Sequence, residues 1–327
     1  MPDALEALTR LGVSLDPNIA FRFRGIRFLG EGLSGERISV DASFPRGFGL
    51  GVRRTCLHQA LLDRAASAGA SFLWGAPVQG LSGGGVIIGG QAIRSRWIIG
   101  ADGENSRVRK WAGLDMARRQ VLRFGFRRHY QAEPWTDCVE IYWGPGFQIY
   151  VTPVGPREVC VASTSRNSHL RLEEALAHFP QLSSKLRGVR LASAERGAIS
   201  ASRRLRRLSR GNVILLGDAS GSVDAITGDG LRLGFEQAPL LARALRASDL
   251  TAYEAAHRRL LRRPSFMAHL MLSLDGRAWL RKRVLRALAA EPRIFAKQLA
   301  MHVGELSPAA FARCAMLPLG WGILAAS

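Results

Sequence analysis

Residues 212–247, NVILLGDASGSVDAITGDGLRLGFEQAPLLARALRA, leave the backbone few paths. Residues 213–216 are a short continuous apolar run, the pattern of a strand buried on both faces. Gly217-Asp218 turns the chain, a loop follows, and Gly228-Asp229-Gly230 leads into Leu231, Phe235, Ala238, Leu241, Ala242 and Leu245 at helical spacing. This order puts a carboxylate at a strand end, within reach of a sugar-type hydroxyl. It also gives backbone that a ligand can approach closely, and a helix start with N–H groups and partial positive charge to offer an anion. A lone Gly-Asp after an apolar run is usually only a turn; the whole string carries more. Pro239 lies inside the helical pattern, where it costs about 3 kcal/mol, so a kink or break is expected between Gln237 and Leu240.

The string GDASGSVDAITGDGLRL resembles the second flavin-binding motif of FAD-dependent oxidoreductases of the para-hydroxybenzoate hydroxylase and geranylgeranyl reductase superfamily. The resemblance implies that Asp218, on the turn begun by Gly217, binds the ribityl chain of FAD. It also implies that the helix start after Gly228, with the backbone of Gly230, Leu231 and Arg232, faces the flavin ring. The hydroxylase branch usually has a His and a Pro in this loop, where this chain has Gly221 and Asp224-Ala225; the ITGDG wording is closer to the reductase and halogenase branches. WIIGADGENSRVRK resembles the superfamily's DG motif, which implies that Asp102 holds a turn together and Gly103 lies near the cofactor's pyrophosphate. From the residues alone this is an Asp-Gly turn with Ser106 or Asn105 capping a helix. Arg54, three residues before Leu57, resembles the superfamily's arginine near the same pyrophosphate, a partner that suits a guanidinium. Without the likeness Arg54 is a solvated helix-start residue.

Along the chain, residues 4–11 look like the end of a helix capped by Gly12. FRFRGIRF, residues 21–28, alternates as a strand, and 37–42 is a second. Leu57, Leu61, Leu62 and Ala65 make a helical face, and Phe72-Leu73-Trp74 starts a strand. Residues 86–88 and 93–99 flank a Gly-Gly turn as a hairpin. Residues 124–130, 138–143, 147–153 and 159–163 read as four strands of an antiparallel meander. In the superfamily such a sheet floors the substrate pocket, which makes Tyr142, Trp143, Phe147 and Tyr150 its candidate wall; aromatic residues in strands also serve as plain core. Residues 171–179 and most of the chain after 250 are helical, and 317–326 form an apolar tail.

The net charge is +20, almost all of it arginine, clustered at 203–210, 258–263 and 277–286. That suits solvated faces or an anionic membrane surface, toward which the apolar tail also points. No nucleic-acid module or aromatic–basic alternation accompanies it, so a nucleic-acid partner is not expected. Four scattered cysteines without a CxxC pair argue for a reducing cytoplasm and against a zinc site or disulfide framework. No metal is expected. No apolar run is long enough to span a membrane, and the N-terminal residues lack a signal peptide's pattern.

A dinucleotide-binding unit opens with a strand, a GxGxxG turn and a helix. Gly83-Gly84-Gly85 precedes a strand and does not qualify, and MPDALEALTRLGV looks like sequence that follows that unit in the superfamily. The expected fold is therefore α/β, α+β in parts: a FAD/NAD(P)-binding Rossmann-like domain, N-terminally truncated, interleaved with an antiparallel substrate sheet and followed by C-terminal helices. The boundaries are 1–45 for strands joining the substrate domain, 46–112 and 200–247 for the FAD-binding parts, 113–199 for the substrate sheet and 248–327 for the helices. The resemblance implies a FAD-dependent oxidoreductase reduced by NAD(P)H that hydroxylates or reduces an aromatic or isoprenoid-like small molecule. The alternative is a non-catalytic flavoprotein-like remnant that binds a partner or a membrane surface. No residue stands out as a catalytic acid or base.

Overall fold

The computed structural model describes residues 1–316 and 320, with the side chains of 117–121 and 316 outside the description. The apolar tail 317–326, apart from Gly320, lies outside the described residues. The chain is a mixed α/β protein of two units, one built from Met1–Leu61, Arg123–Ile199 and the segment from Phe266 on, the other from Leu62–Leu122 and Ser200–Ser265.

Six neighbouring strands of a large sheet run in the order Ala117–Tyr130, Glu158–Ser165, Phe147–Gly155, Cys138–Gly144, Gly25–Glu31 and Arg37–Ser43. The four expected central strands are present, but they are not one meander. The earliest pairs with the last (Phe124↔Ser165), and Cys138–Gly144 runs parallel to Gly25–Glu31, so the sheet is mixed. The run 21–28 is two strands rather than one. Ala20–Phe23 pairs with Gly49–Val52, and the chain changes sheets at Arg24, whose guanidinium bonds Asp137 at 2.9 Å, Asp41 at 2.7 Å and Ser43 at 2.9 Å. Only glycine fits next, since a Cβ on Gly25 would stand 1.9 Å from the Ala42 carbonyl oxygen.

Strand alternation gives this sheet two packed faces. Phe147, Ile149 and Val151 meet Leu172, Leu176, Leu182 and Leu186 of the short helices Leu172–Ala177 and Pro180–Leu186. On the other face Trp143 meets Phe28 edge-on at 5.6 Å, and Phe28 lies 4.4 Å from Phe295 of the helix Pro292–His302.

The second unit has two three-stranded sheets. Val78–Ser82, Gly85–Ile88 and Gln91–Arg94 form an antiparallel sheet; Ser209–Arg210, Val213–Leu215 and Ile98–Gly100 form the other. The expected strand 93–99 is thus divided between two sheets. Phe72-Leu73-Trp74 is no strand: all three are exposed, and Phe72 stacks on Trp74 at 5.6 Å. The helix Gly230–Ala247 runs through Pro239 without a break. Pro239 is exposed, so water can take the carbonyl that loses its amide partner, while Leu233, Gln237, Leu241 and Ala244 stay buried on the other side.

Candidate functional site

The second unit joins the two motifs through its strands. Ile98–Gly100 and Val213–Leu215 are parallel neighbours, paired Val213↔Ile98 through Leu215↔Gly100. Both continue directly into their turns, so the Asp102-Gly103 turn and the Gly217–Ser220 turn leave the same carboxyl edge. In open α/β sheets that edge is where ligands bind.

The Asp102 turn is held by its own helix start. Asp102 Oδ2 accepts from the amides of Arg107 at 2.7 Å and Val108 at 3.1 Å, and Ser106 Oγ caps Arg109 N at 2.9 Å. Burial works against the charged carboxylate, but the hydrogen bonds from Ser106, Val108 and Arg107 outweigh it and hold Asp102 below its ordinary pKa. Gly103 has φ 78°, and a Cβ there would meet nothing within 4 Å.

The Gly217 turn is anchored from behind by two helices. Gly217 N–H donates to Gln237 Oε1 at 2.7 Å, Ser220 Oγ donates to the Gly217 carbonyl at 2.7 Å, and His257 Nε2 lies 2.9 Å from Ser220 Oγ. Tyr253 Oη donates to the Leu215 carbonyl at 2.9 Å. These bonds fix the turn and leave Asp218 exposed at its tip. A Cβ on Gly230 would stand 3.8 Å from Asp218 Oδ1, so the carboxylate lies at the start of the long helix. Gly217 and Gly228 have φ 61° and 69°, and each has open space where a side chain would be.

At that helix start no side-chain cap closes the first turn. Asp229 turns its carboxylate to Arg232 Nε at 2.9 Å instead, and Arg232 Nη1 reaches Glu236 at 2.8 Å. Arg232 is buried, so what it can offer a ligand is its backbone; Leu231 is exposed beside it.

Sequence reasoning missed Arg109. It is fully buried and spans both motifs: Nη1 donates to the Ala219 carbonyl at 3.1 Å, Nη2 to the Glu104 carbonyl at 2.6 Å and Nε to Asp115 at 2.9 Å. An arginine between Val108 and Lys110 on a short helix carries no periodic signal; its acceptors become visible only when the strands pair. Glu104 was missed too. Burial raises its pKa, against a hydrogen bond from Ser222 and the charges of Arg203 and Arg109, and nearby Asp218 raises it further.

Burial, helped by the Arg258 guanidinium, pulls the His257 pKa down to about 4. A neutral His257 therefore stabilises the folded chain fully above its unfolded pKa of about 6.5, and that stability is lost as pH falls toward about 4. His129, buried in the other unit and also pulled down to about 4 by burial and the Arg53 and Arg127 charges, acts in the same direction. Urea midpoints should fall as pH drops through this window. His257→Gln should make the fall shallower; an unchanged pH profile in that variant would remove His257 from the account.

The remaining candidates lie in the first unit. Arg54 is the exposed first residue of the helix Arg54–Ser67. Tyr142 and Phe147 are buried: both pack on Phe179, at 5.2 and 6.1 Å, and Tyr142 Oη donates to Glu140 at 2.8 Å, while Phe147 also borders a cavity. Trp143 is buried on the opposite face, and Tyr150 is half-buried. Among the described residues no cluster of metal ligands occurs, and no helix is long and apolar enough to cross a membrane.

The residues present fit the flavin half of FAD. An exposed carboxylate, open positive-φ glycines and an uncapped helix start share one edge. The GxGxxG string at Gly30–Gly35 joins the antiparallel strands Gly25–Glu31 and Arg37–Ser43 and leads into no helix, so it is not a phosphate turn for the ADP half. A family model described as FAD binding domain matches residues 35–262. A menaquinone reductase of Mycolicibacterium smegmatis is 26% identical over 280 residues, covering 78% of this chain and 68% of that protein. A digeranylgeranylglycerophospholipid reductase of Methanocella arvoryzae is 26% identical over 172 residues, covering 49% of this chain and 43% of that protein. This chain thus spans less than half the length of the archaeal relative. Among solved structures, a geranylgeranyl bacteriochlorophyll reductase-like protein from Thermoplasma acidophilum shares the fold with TM-score 0.76 at 19% identity, covering 98% of this chain and 87% of that one.

Proposed function

The chain belongs to the FAD binding domain family, and on that premise we propose that it is a FAD-dependent oxidoreductase that reduces a carbon–carbon double bond in an isoprenoid-like or prenylated small molecule, with NAD(P)H as reductant. The observation that carries the reading is the pair of adjacent parallel strands that end in the Asp102 and Gly217 turns beside an uncapped helix start. The names of the two curated relatives support reduction over hydroxylation, as does the loop, which has Gly221 and Asp224-Ala225 where hydroxylases carry a His and a Pro.

Bound FAD supplies two-electron transfer from NAD(P)H to the double bond. The chain's residues hold and tune it. Asp218 accepts hydrogen bonds from hydroxyls of the ribityl chain. The amides of Gly230, Leu231 and Arg232 and the helix dipole favour negative charge placed before them. Gly103, at the end of the neighbouring strand, lets backbone approach a phosphate, and Asp102 keeps that turn in shape. Arg54 is proposed as a diphosphate partner and Tyr150 as a substrate contact, since it is the half-buried member of the aromatic set.

The test starts from the purified chain supplied with FAD, followed by NADH or NADPH and a prenylated quinone or geranylgeranyl lipid. Bound-flavin absorbance and a product heavier by two hydrogens are expected. A product heavier by one oxygen would assign hydroxylation, and a chain that retains no flavin would favour the non-catalytic reading. Asp218→Ala should weaken FAD binding about tenfold or more, because a charge-assisted hydrogen bond is worth roughly 1.5–3 kcal/mol. Flavin titration followed by fluorescence quenching measures this; an unchanged affinity would remove Asp218 from the site.

A further inference from the structure

The first unit contains a cavity of about 490 Å³ beside the turn that follows the strand Cys138–Gly144, lined among others by Phe147, Ser165, Arg166, Leu170, Asp275 and Arg281. Its size is that of a small-molecule pocket. Its charges do not balance. Asp275 is the one carboxylate among the lining residues, and it is already engaged: Arg123 Nη2 lies 2.8 Å from Oδ2, Gln148 Nε2 donates to Oδ1 at 2.6 Å, and Arg166 Nε stands 3.6 Å from Oδ2.

Arg281, in the first turn of the helix Ala278–Ala290, is 6% exposed. No carboxylate lies within 4 Å of it among the described residues. Its hydrogen bonds are two long ones from Nη1, to the Leu274 carbonyl at 3.3 Å and the Asp275 carbonyl at 3.5 Å. Burial lowers its pKa, and Asp275 and Glu31 only partly offset that. A guanidinium buried without a counter-ion is costly, and the cost is relieved when an anion enters. Two guanidinium groups, those of Arg123 and Arg166, therefore hold the one carboxylate, while a third, that of Arg281, stands on the wall of the open space with only main-chain carbonyls as partners among the described residues. Phe147 and Leu170 give the same space an apolar side.

We propose that this cavity is a binding site for an oxyanion of the phosphate class carried on an apolar body, with Arg281 and Arg166 gripping the oxyanion and Phe147 and Leu170 contacting the body. The site is independent of the flavin reading, because every residue named lies in the first unit and no redox step is involved. Guanidinium donors suit phosphate oxygens, and Arg166, half-exposed at the rim, can reorient from Asp275 toward an incoming anion.

The test is calorimetric titration of the full chain, without added FAD, with short-chain dihexanoyl phosphatidate, inorganic phosphate and dihexanoyl phosphatidylcholine. Phosphatidate should bind, with Arg281→Gln weakening it about tenfold or more. Phosphate bound alone with equal affinity and the same dependence on Arg281 would support the site and assign its ligand as free phosphate; clearly weaker binding of phosphate would assign an amphiphile. Equal binding of phosphatidylcholine, no binding of either anion, or unchanged affinity in Arg281→Gln would overturn the proposal. Should Arg281→Gln fail to fold, Arg166→Gln, at the exposed rim, must weaken the same titration, and unchanged affinity there would overturn it equally.

Discussion

Arg109→Met is expected to destabilise the second unit by about 3–5 kcal/mol and to strip it of flavin, because it removes one partner from a buried ionic network. Arg109 has no exposed surface, and its guanidinium serves Asp115 and the carbonyls of Ala219 and Glu104 together. Methionine fills much of the volume but leaves the buried Ala219 carbonyl and the part-buried Glu104 carbonyl without their donor. Asp115 keeps Arg203, whose Nη1 lies 2.7 Å away, so its charge is not stranded; the main loss is the tie between the two turns. Ala219 follows Asp218 directly. A turn freed at Ala219 no longer holds the Asp218 carboxylate at the helix start, so affinity for FAD falls along with stability. Arg109→Lys should recover only part of either property, since an ammonium cannot reproduce the planar fork that reaches several acceptors at once. Thermal unfolding followed beside flavin content tests both: a shift on the order of 10 °C with loss of bound flavin is expected. A variant that keeps its melting temperature and its flavin would show that strand pairing alone holds the turns.

Arg123→Met should cost a similar amount, about 3–5 kcal/mol, in the first unit. Arg123 and Asp275 pair at 2.8 Å with side chains 1% and 2% exposed. Without Arg123 the carboxylate keeps the Gln148 amide at 2.6 Å and Arg166 at 3.6 Å, which is too little for a fully buried charge. Pairing the change with Asp275→Leu should restore only part of the stability. Replacing a buried ion pair by apolar groups is often neutral, but here Arg166 would then have lost its carboxylate partner, and Arg281 a charge that offsets its burial. A double-mutant cycle on urea midpoints measures the coupling. Near-additive losses would mean that Arg123 and Asp275 act through separate partners.

Several elements were legible in the sequence because their signals are local. The apolar run before Gly217, the strands from 124 to 163 and Gly12, which closes the first helix with φ 71°, follow from patterning and turn chemistry over a few residues. The misreadings share a cause. Residues 21–28 and 93–99 alternate like single strands, and alternation cannot say which sheet a strand joins; a corner at Arg24 and a turn after Arg94 divide them. Phe72-Leu73-Trp74 has strand composition, yet its three side chains are exposed, so composition had no packed surface to act through. Pro239 breaks a helix rule that assumes a buried ladder, and its exposed position removes the assumption.

The candidate site divides in the same way. Asp102, Gly103, Gly217, Asp218 and Gly230 are marked by their neighbours in the chain, because a turn or a helix start is made by consecutive residues. By itself the sequence determined the motifs, the α/β class and the family, all of which rest on short-range order. Only the tertiary structure decided that the two turns leave adjacent parallel strands, that Arg109 ties them and that Gln237 and His257 brace one from behind. The same holds for the burial of Tyr142 and Phe147, and for Arg281, a buried charge without an ion-pair partner among the described residues. Each of these depends on groups far apart in the chain. Burial and hydrogen bonding set their energies only after the chain has folded, and no pattern in neighbouring residues encodes them.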